Sequence, residues 1–179
     1  MIFNNFKHTL FRFLNFFFII LFFFLPFGEK TDNFYHLINF YLNHKRLPSN
    51  KKLFNDILYT FKVSKESSYP LQRLTTEKDN VKLYVKSIVG DQHNVKTYKV
   101  INSIDELYRY EFPLKCCIKP TNSCGEVFLR KKGEKLPFKL FESWLKINYY
   151  KITREKNYKD LENKIIIEEL LEDRLGEGF

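Results

Sequence analysis

Residues 115–130 read KCCIKPTNSCGEVFLR, and the fold of the chain turns on them. Lys115 to Lys119 is a short run that stops at Pro120, and Glu126 to Arg130 is a second run. Between them, Thr121 to Gly125 holds the small and amide residues that favour turns. The pattern predicts strand, loop and strand. A phosphate group needs positive charge and backbone N–H donors side by side. Lys119 would supply the charge from the strand end, while Ser123 and Gly125 would let the loop backbone come close. With one glycine in the loop, a plain hairpin turn is the simpler explanation when these residues are taken alone.

Working outward, Lys164 to Leu171 (KIIIEELL) predicts a third strand, apolar enough to be central. A helix is expected through Phe138, Phe141, Trp144, Leu145 and Asn148. Upstream, Ser103-Ile-Asp-Glu106 is a capping box that opens a short helix, and Val95 to Ile101 suits a strand. From Glu77 to Val89 the residues Val81, Tyr84, Val85, Ile88 and Val89 share one helical face, with Thr76 before the helix and Gly90 after it. Lys78, Lys82 and Lys86 form a separate stripe, read as a solvated face. Ser64 to Pro70 reads as a loop. Leu53, Phe54, Ile57, Leu58 and Phe61 mark an earlier helix capped by Ser49 or Asn50. Phe34, Leu37, Ile38, Tyr41 and Leu42 mark the first, with Thr31 and Asp32 as caps. Helices first, then strands mixed with helices, give an α+β or α/β class with a helical portion in front.

The chain has 179 residues, enough for one good core or for a small domain and part of a second. Its net charge of +9 invites a nucleic-acid or membrane-surface reading. Only seven of the 30 basic residues are Arg, however, and the charge is spread along the chain, so nucleic acid is not the partner the sequence points to. Cys116, Cys117 and Cys124 match neither a disulfide framework nor a zinc spacing, which fits a reducing compartment. The first two read as small apolar strand residues. Phe16 to Leu25 (FFFIILFFFL) is an apolar run preceded by Lys7 and Arg12, short for a membrane span. It reads as a membrane anchor, a membrane-surface helix or a spurious extension. An inserted anchor would export the rest of the chain, away from any pool of ATP.

Taken together, the segments from about Phe40 to Leu171 resemble the TupA-like ATP-grasp family, associated with teichuronopeptide and other cell-surface polymer biosynthesis. Leu53-Phe54-Asn55-Asp56-Ile57-Leu58 resembles an early family helix. Thr76-Glu77-Lys78 with Tyr84-Val85 and Gly90 is similar to its Thr-Asp-Lys helix, and Ile118 to Gly125 to its Leu-Lys-Pro-x-x-x-Ser-Gly loop, where Cys124 departs from the pattern. Trp144 to Tyr150, Arg154-Glu155 with Tyr158, and Ile165 to Leu171 then follow in the family's order.

The resemblance implies that Lys78 and Lys119 are the two lysines for ATP's phosphates and that Ser123 to Gly125 belongs to the loop over them. It implies that Glu168, Glu169, Leu170 and Leu171 link the lobes, where a carboxylate and a strand edge read adenine and apolar side chains flank the ring. Glu168 and Glu169 must point to opposite faces, so one of them has another task. Arg154 and Glu155 read as structural. Such enzymes use ATP and Mg²⁺ to activate a carboxylate as an acyl phosphate. The family's metal ligands and catalytic Arg follow the adenine linker, so they are expected to be absent from this chain, as in a truncated protein without ligase activity of its own.

The expected organisation is a hydrophobic segment over 1–28, a helical region over 29–113 and a partial nucleotide-binding lobe over 114–179. The expected setting is the cytoplasm or the inner face of the membrane, near glycosyltransferases of polysaccharide synthesis. The alternative is a basic, membrane-associated module for anionic partners.

Overall fold

The computed structural model describes residues 24–51 and 53–172. All but Phe24 and Leu25 of the apolar run therefore lie outside the described residues, and no described helix is long and apolar enough to cross a membrane. The chain divides after Ser67 into two compact units.

The first unit contains α1 (Glu29–His44) and α2 (Phe54–Val63), which pack on each other. The caps differ from expectation. Gly28 caps α1, and Thr31 sits inside its first turn, donating from Oγ1 to the Gly28 carbonyl at 2.9 Å. Leu53 rather than Ser49 or Asn50 caps α2, because the Ser49 amide instead donates to Asp56 Oδ1 at 2.9 Å. Arg46 grips the same buried carboxylate with two nitrogens, at 2.7 and 3.0 Å. The hydrogen bond from Arg46 is the main cause holding the Asp56 carboxyl below its usual range. The buried stripe of α1 is Asp32, His36 and Phe40, whereas Phe34 and Tyr41 of the expected apolar face are exposed.

In the second unit, α3 (Pro70–Thr76) occupies ground expected to begin as a loop. Pro70 stands in its first turn, where the missing N–H has no helical partner to lose. Next comes α4 (Lys78–Val89), capped by the buried Glu77, whose carboxylate accepts from the Asn80 amide at 2.8 Å. Then follow β1 (Thr97–Ile101), α5 (Ile104–Arg109), β2 (Cys116–Pro120), β3 (Phe128–Arg130), α6 (Phe138–Trp144), α7 (Tyr149–Thr153) and β4 (Ile165–Glu168). The class is α+β.

The four strands form one antiparallel sheet in the order β1-β4-β2-β3, so the KIIIE strand is internal as its composition predicts. Alternation gives the sheet two faces. One face carries Ile101, Cys116, Ile118, Ile165 and Ile167, which pack with Leu107, Phe141 and Trp144 into the core. Phe141 is its hub, with ring centroids 5.1 Å from Trp144 and 5.7 Å from Phe128. The other face carries Cys117, Lys119, Ile166 and Glu168. Both strand cysteines are buried thiols, and burial pushes Cys116 up to about 11.

The lysine stripe of α4 is solvated only at Lys86. Lys78 and Lys82 turn inward to the loop and sheet, while Tyr84, Ile88 and Val89 of the apolar stripe are exposed. A carboxylate on the sheet face makes charged groups, rather than apolar ones, the complementary covering.

Trp144 is the chain's one tryptophan and lies in this core, so its fluorescence reports on the second unit. Phe141→Ala is expected to cost about 3–5 kcal/mol in a urea titration read at Trp144. Leu83→Ala, at a position 64% exposed, should stay within about 0.5 kcal/mol of the parent. In the first unit, a lowered carboxyl contributes stability above the ordinary carboxylate range and loses it as pH falls through that range. Asp56→Asn should therefore speed amide exchange in α2 at neutral pH. The difference should shrink as pH drops below about 4.

Candidate functional site

The register of β2 on β4 sets Cys117 opposite Glu168 and Lys119 opposite Ile166, so Lys119 and Glu168 are diagonal neighbours on the non-core face. Lys119 Nζ reaches Glu168 Oε2 at 2.5 Å, and Lys82 of α4 pairs with Oε1. Lys82 also donates to the Val95 carbonyl and, at 2.9 Å, to Thr97 Oγ1. Both carboxylate oxygens of the buried Glu168 are thus held by ammonium groups. Lys119 remains partly open, its side chain 29% exposed.

Lys78, one turn before Lys82, fastens α4 to the loop after β2. Its backbone N–H donates to the Thr121 carbonyl at 3.0 Å, and its ammonium donates to the carbonyls of Pro120 at 2.9 Å and Ser123 at 2.5 Å. Desolvation, and then the Lys119 charge, lower the Lys78 pKa. Two ammonium groups thus hold Glu168, and the third, Lys78, feels the repulsion of Lys119, partly offset by Glu126 and Glu77. A nearby anion would relieve the repulsion between Lys78 and Lys119.

The loop is held from several sides. The Thr121 N–H donates to the Lys164 carbonyl at 2.9 Å, Asn122 Nδ2 to Asn163 Oδ1 at 2.6 Å, and the Tyr149 hydroxyl to the Cys124 carbonyl at 3.1 Å. Gly125 has φ 91, a conformation that disfavours any side chain although there is open space for a Cβ. Thr121 Oγ1, Asn122 Oδ1 and Ser123 Oγ are buried with no hydrogen-bond partner in the structure. A buried polar atom without a partner costs about 1–3 kcal/mol, which marks this loop as shaped for something else. Hydroxyl donors beside ammonium groups fit phosphate oxygens. Just past the loop, Glu126 also has a buried oxygen without a partner. Tyr158 packs edge-on to Tyr149 at 4.7 Å, and burial, followed by Glu155, pushes its phenol pKa well up.

Of the expected site residues, the structure brings Lys78, Lys119, Ser123 and Glu168 together around the β2 end and its loop, with Gly125 two residues on. Beyond Glu168 the chain alternates: Glu169 is exposed, Leu170 buried and Leu171 exposed. The Glu169 N–H donates to the Lys96 carbonyl at 2.9 Å. Connection 121–127 is longer than expected, since β3 begins at Phe128 rather than Glu126. Sequence reasoning missed Lys82, Thr121, Asn122 and Tyr149. The four-residue spacing of Lys78 and Lys82 was the available signal for the first. Among the described residues no group of three His, Cys, Asp or Glu side chains is placed to hold a metal ion.

Glu168→Gln leaves Lys82 and Lys119 without a counter-charge. It is expected to cost about 2–3 kcal/mol in a urea titration followed at Trp144, a figure reduced for the partial exposure of Lys119. Glu169→Gln should stay within about 0.5 kcal/mol of the parent.

The family model described as TupA-like ATPgrasp matches residues 45–177. No curated protein and no solved structure matches the chain. With an antiparallel sheet, a lysine at the end of β2 and a small-residue loop all inside the matched stretch, the chain belongs to the TupA-like ATP-grasp family.

Proposed function

We propose that this face binds the phosphates of ATP, with Lys119 as the direct contact and the loop from Ser123 to Gly125 lying over them. The observation that supports this most is the pair of ammonium groups on Glu168, with the Lys78 ammonium on the carbonyls of a loop whose Thr121 and Ser123 hydroxyls are buried and unpartnered. Lys78, anchored on loop carbonyls, positions the loop and adds to its positive field. Lys82 competes with Lys119 for Glu168, leaving the Lys119 ammonium with charge to offer an incoming phosphate.

The adenine side of the proposal falls on Glu168 to Leu171. A strand edge presents a donor and an acceptor side by side. Leu170 and Leu171 are the apolar candidates for flanking the ring. Bound ATP would supply the phosphoryl group that activates a carboxylate in ATP-grasp chemistry. Mg²⁺ would neutralise phosphate charge there, and the proposal assigns it no ligand among the residues named. The family's association makes the product a cell-surface polysaccharide or teichuronopeptide, made beside glycosyltransferases. This reading places the protein in the cytoplasm, with residues 1–28 attaching to the inner face of the membrane without crossing it.

The competing reading is a basic module for anionic partners, which the net charge of +9 favours. The two separate at Lys119. Under the ATP reading, Lys119→Ala abolishes saturable Mg-ATP binding by the full chain in isothermal titration, while Lys139→Ala leaves it unchanged. Under the module reading, each removes about one charge's worth of salt-dependent affinity.

A further inference from the structure

We propose that the outward face of α2 is a docking surface for an anionic lipid bilayer, a second membrane contact besides residues 1–28. Phe54, Ile57, Leu58 and Phe61 stand at spacings of three and four, so they line one stripe of the helix. That stripe is the apolar pattern that predicts the helix from sequence, and such a stripe ordinarily faces a core. Here it does not. The four side chains are 74, 54, 40 and 37% exposed, and the one buried residue of α2 is Asp56. Leu53, the cap, is half exposed and extends the stripe by one residue. Single exposed apolar residues are ordinary, whereas a contiguous stripe marks a surface that something covers.

The charge around the stripe identifies the partner. Residues 45–67 hold six basic residues, Lys45, Arg46, Lys51, Lys52, Lys62 and Lys65, against two acidic ones, Asp56 and Glu66. Asp56 is buried and gripped by Arg46, so it offers little charge to its surroundings. Lys45, Lys51 and Lys65 are exposed and flank α2 in the sequence. The first unit carries nine basic and four acidic residues over 67 positions, whereas the remaining 112 positions carry 21 and 17, so positive charge is denser where the stripe lies. An apolar stripe flanked by lysines suits the headgroup region of a bilayer, with the apolar side chains sunk about 5–10 Å and the ammonium groups among anionic headgroups. Attachment through one shallow apolar segment is reversible, and a second apolar or basic contact makes it stable. A second copy of the chain fits this face less well. A helix of ten residues is about 15 Å long, so its face falls far short of the roughly 800 Å² per partner of a stable interface, and two basic faces repel.

The inference rests on the membrane-attached reading of the chain and is independent of ATP binding at Lys119. Its test uses the full chain with vesicles whose lipids carry bromine in their acyl chains, which quenches any tryptophan that reaches them. Trp144 lies in the core of the second unit, so the parent protein gives an unquenched background. With phosphatidylglycerol vesicles, Phe54→Trp should gain a quenched component, and Leu83→Trp, on α4 of the second unit, should not. Phe54→Ser combined with Ile57→Ser should weaken co-sedimentation with these vesicles about tenfold, and phosphatidylcholine vesicles should bind the parent about tenfold more weakly than phosphatidylglycerol. Protein that sediments with phosphatidylglycerol while Phe54→Trp stays unquenched would overturn the inference and leave attachment by residues 1–28 standing. A parent that does not sediment with these vesicles would overturn both. Equal affinity for the two lipids would overturn the inference, and so would a lipid-free dimer that the double substitution converts to monomer, which assigns the face to a second copy.

Discussion

The second unit depends on a carboxylate held between two lysines. Glu168 ends β4, one of the two internal strands of the sheet, on the face away from the hydrophobic core, with Lys119 and Lys82 both paired to it. A buried carboxylate needs compensating charge, and that need decides what covers this face. It turns the lysine side of α4 down onto the sheet, and Lys78 then fastens the N-terminus of α4 to the loop after β2. The helix, sheet and loop are thereby fixed to one another at a single charged junction, and the loop's small residues are held where their hydroxyls have no partner of their own.

The arrangement separates stability from function. The face under α5 and α6 buries isoleucines, Phe141 and Trp144 and supplies the hydrophobic contribution to folding. The opposite face buries Cys117, Ile166 and Glu168 and gathers the ammonium groups of Lys82 and Lys119. Repulsion between Lys78 and Lys119 lowers the cost of bringing a polyanion there, because an incoming phosphate offsets a repulsion already present.

Much of the sheet was legible in the sequence. Ile165, Ile166 and Ile167 form a run apolar enough for a strand covered on both faces, and Pro120 ends β2 where its missing N–H requires an end. The Ser103 cap was also legible, with its hydroxyl accepting from the Glu106 amide. The covered face of α4 was not. Periodicity identifies two stripes on a helix but not which one meets the sheet, and the deciding residue, Glu168, lies about eighty positions further along the chain. The same limitation applies to α1, where His36 and Phe40 are covered and Phe34 is not. Within the site, Lys119 and Ser123 followed from the loop pattern and the family resemblance. Lys82 did not, because a lysine on a helix is usually solvated and only the tertiary pairing makes this one different.

The central claim is that Lys119 meets phosphate, and ATP protection from amine acylation, read by mass spectrometry of the intact chain's peptides, tests it most directly. The account predicts that Mg-ATP slows labelling of Lys119 several-fold while the exposed Lys86 and Lys139 label at unchanged rates. Equal labelling of Lys119 with and without saturating ATP would contradict it.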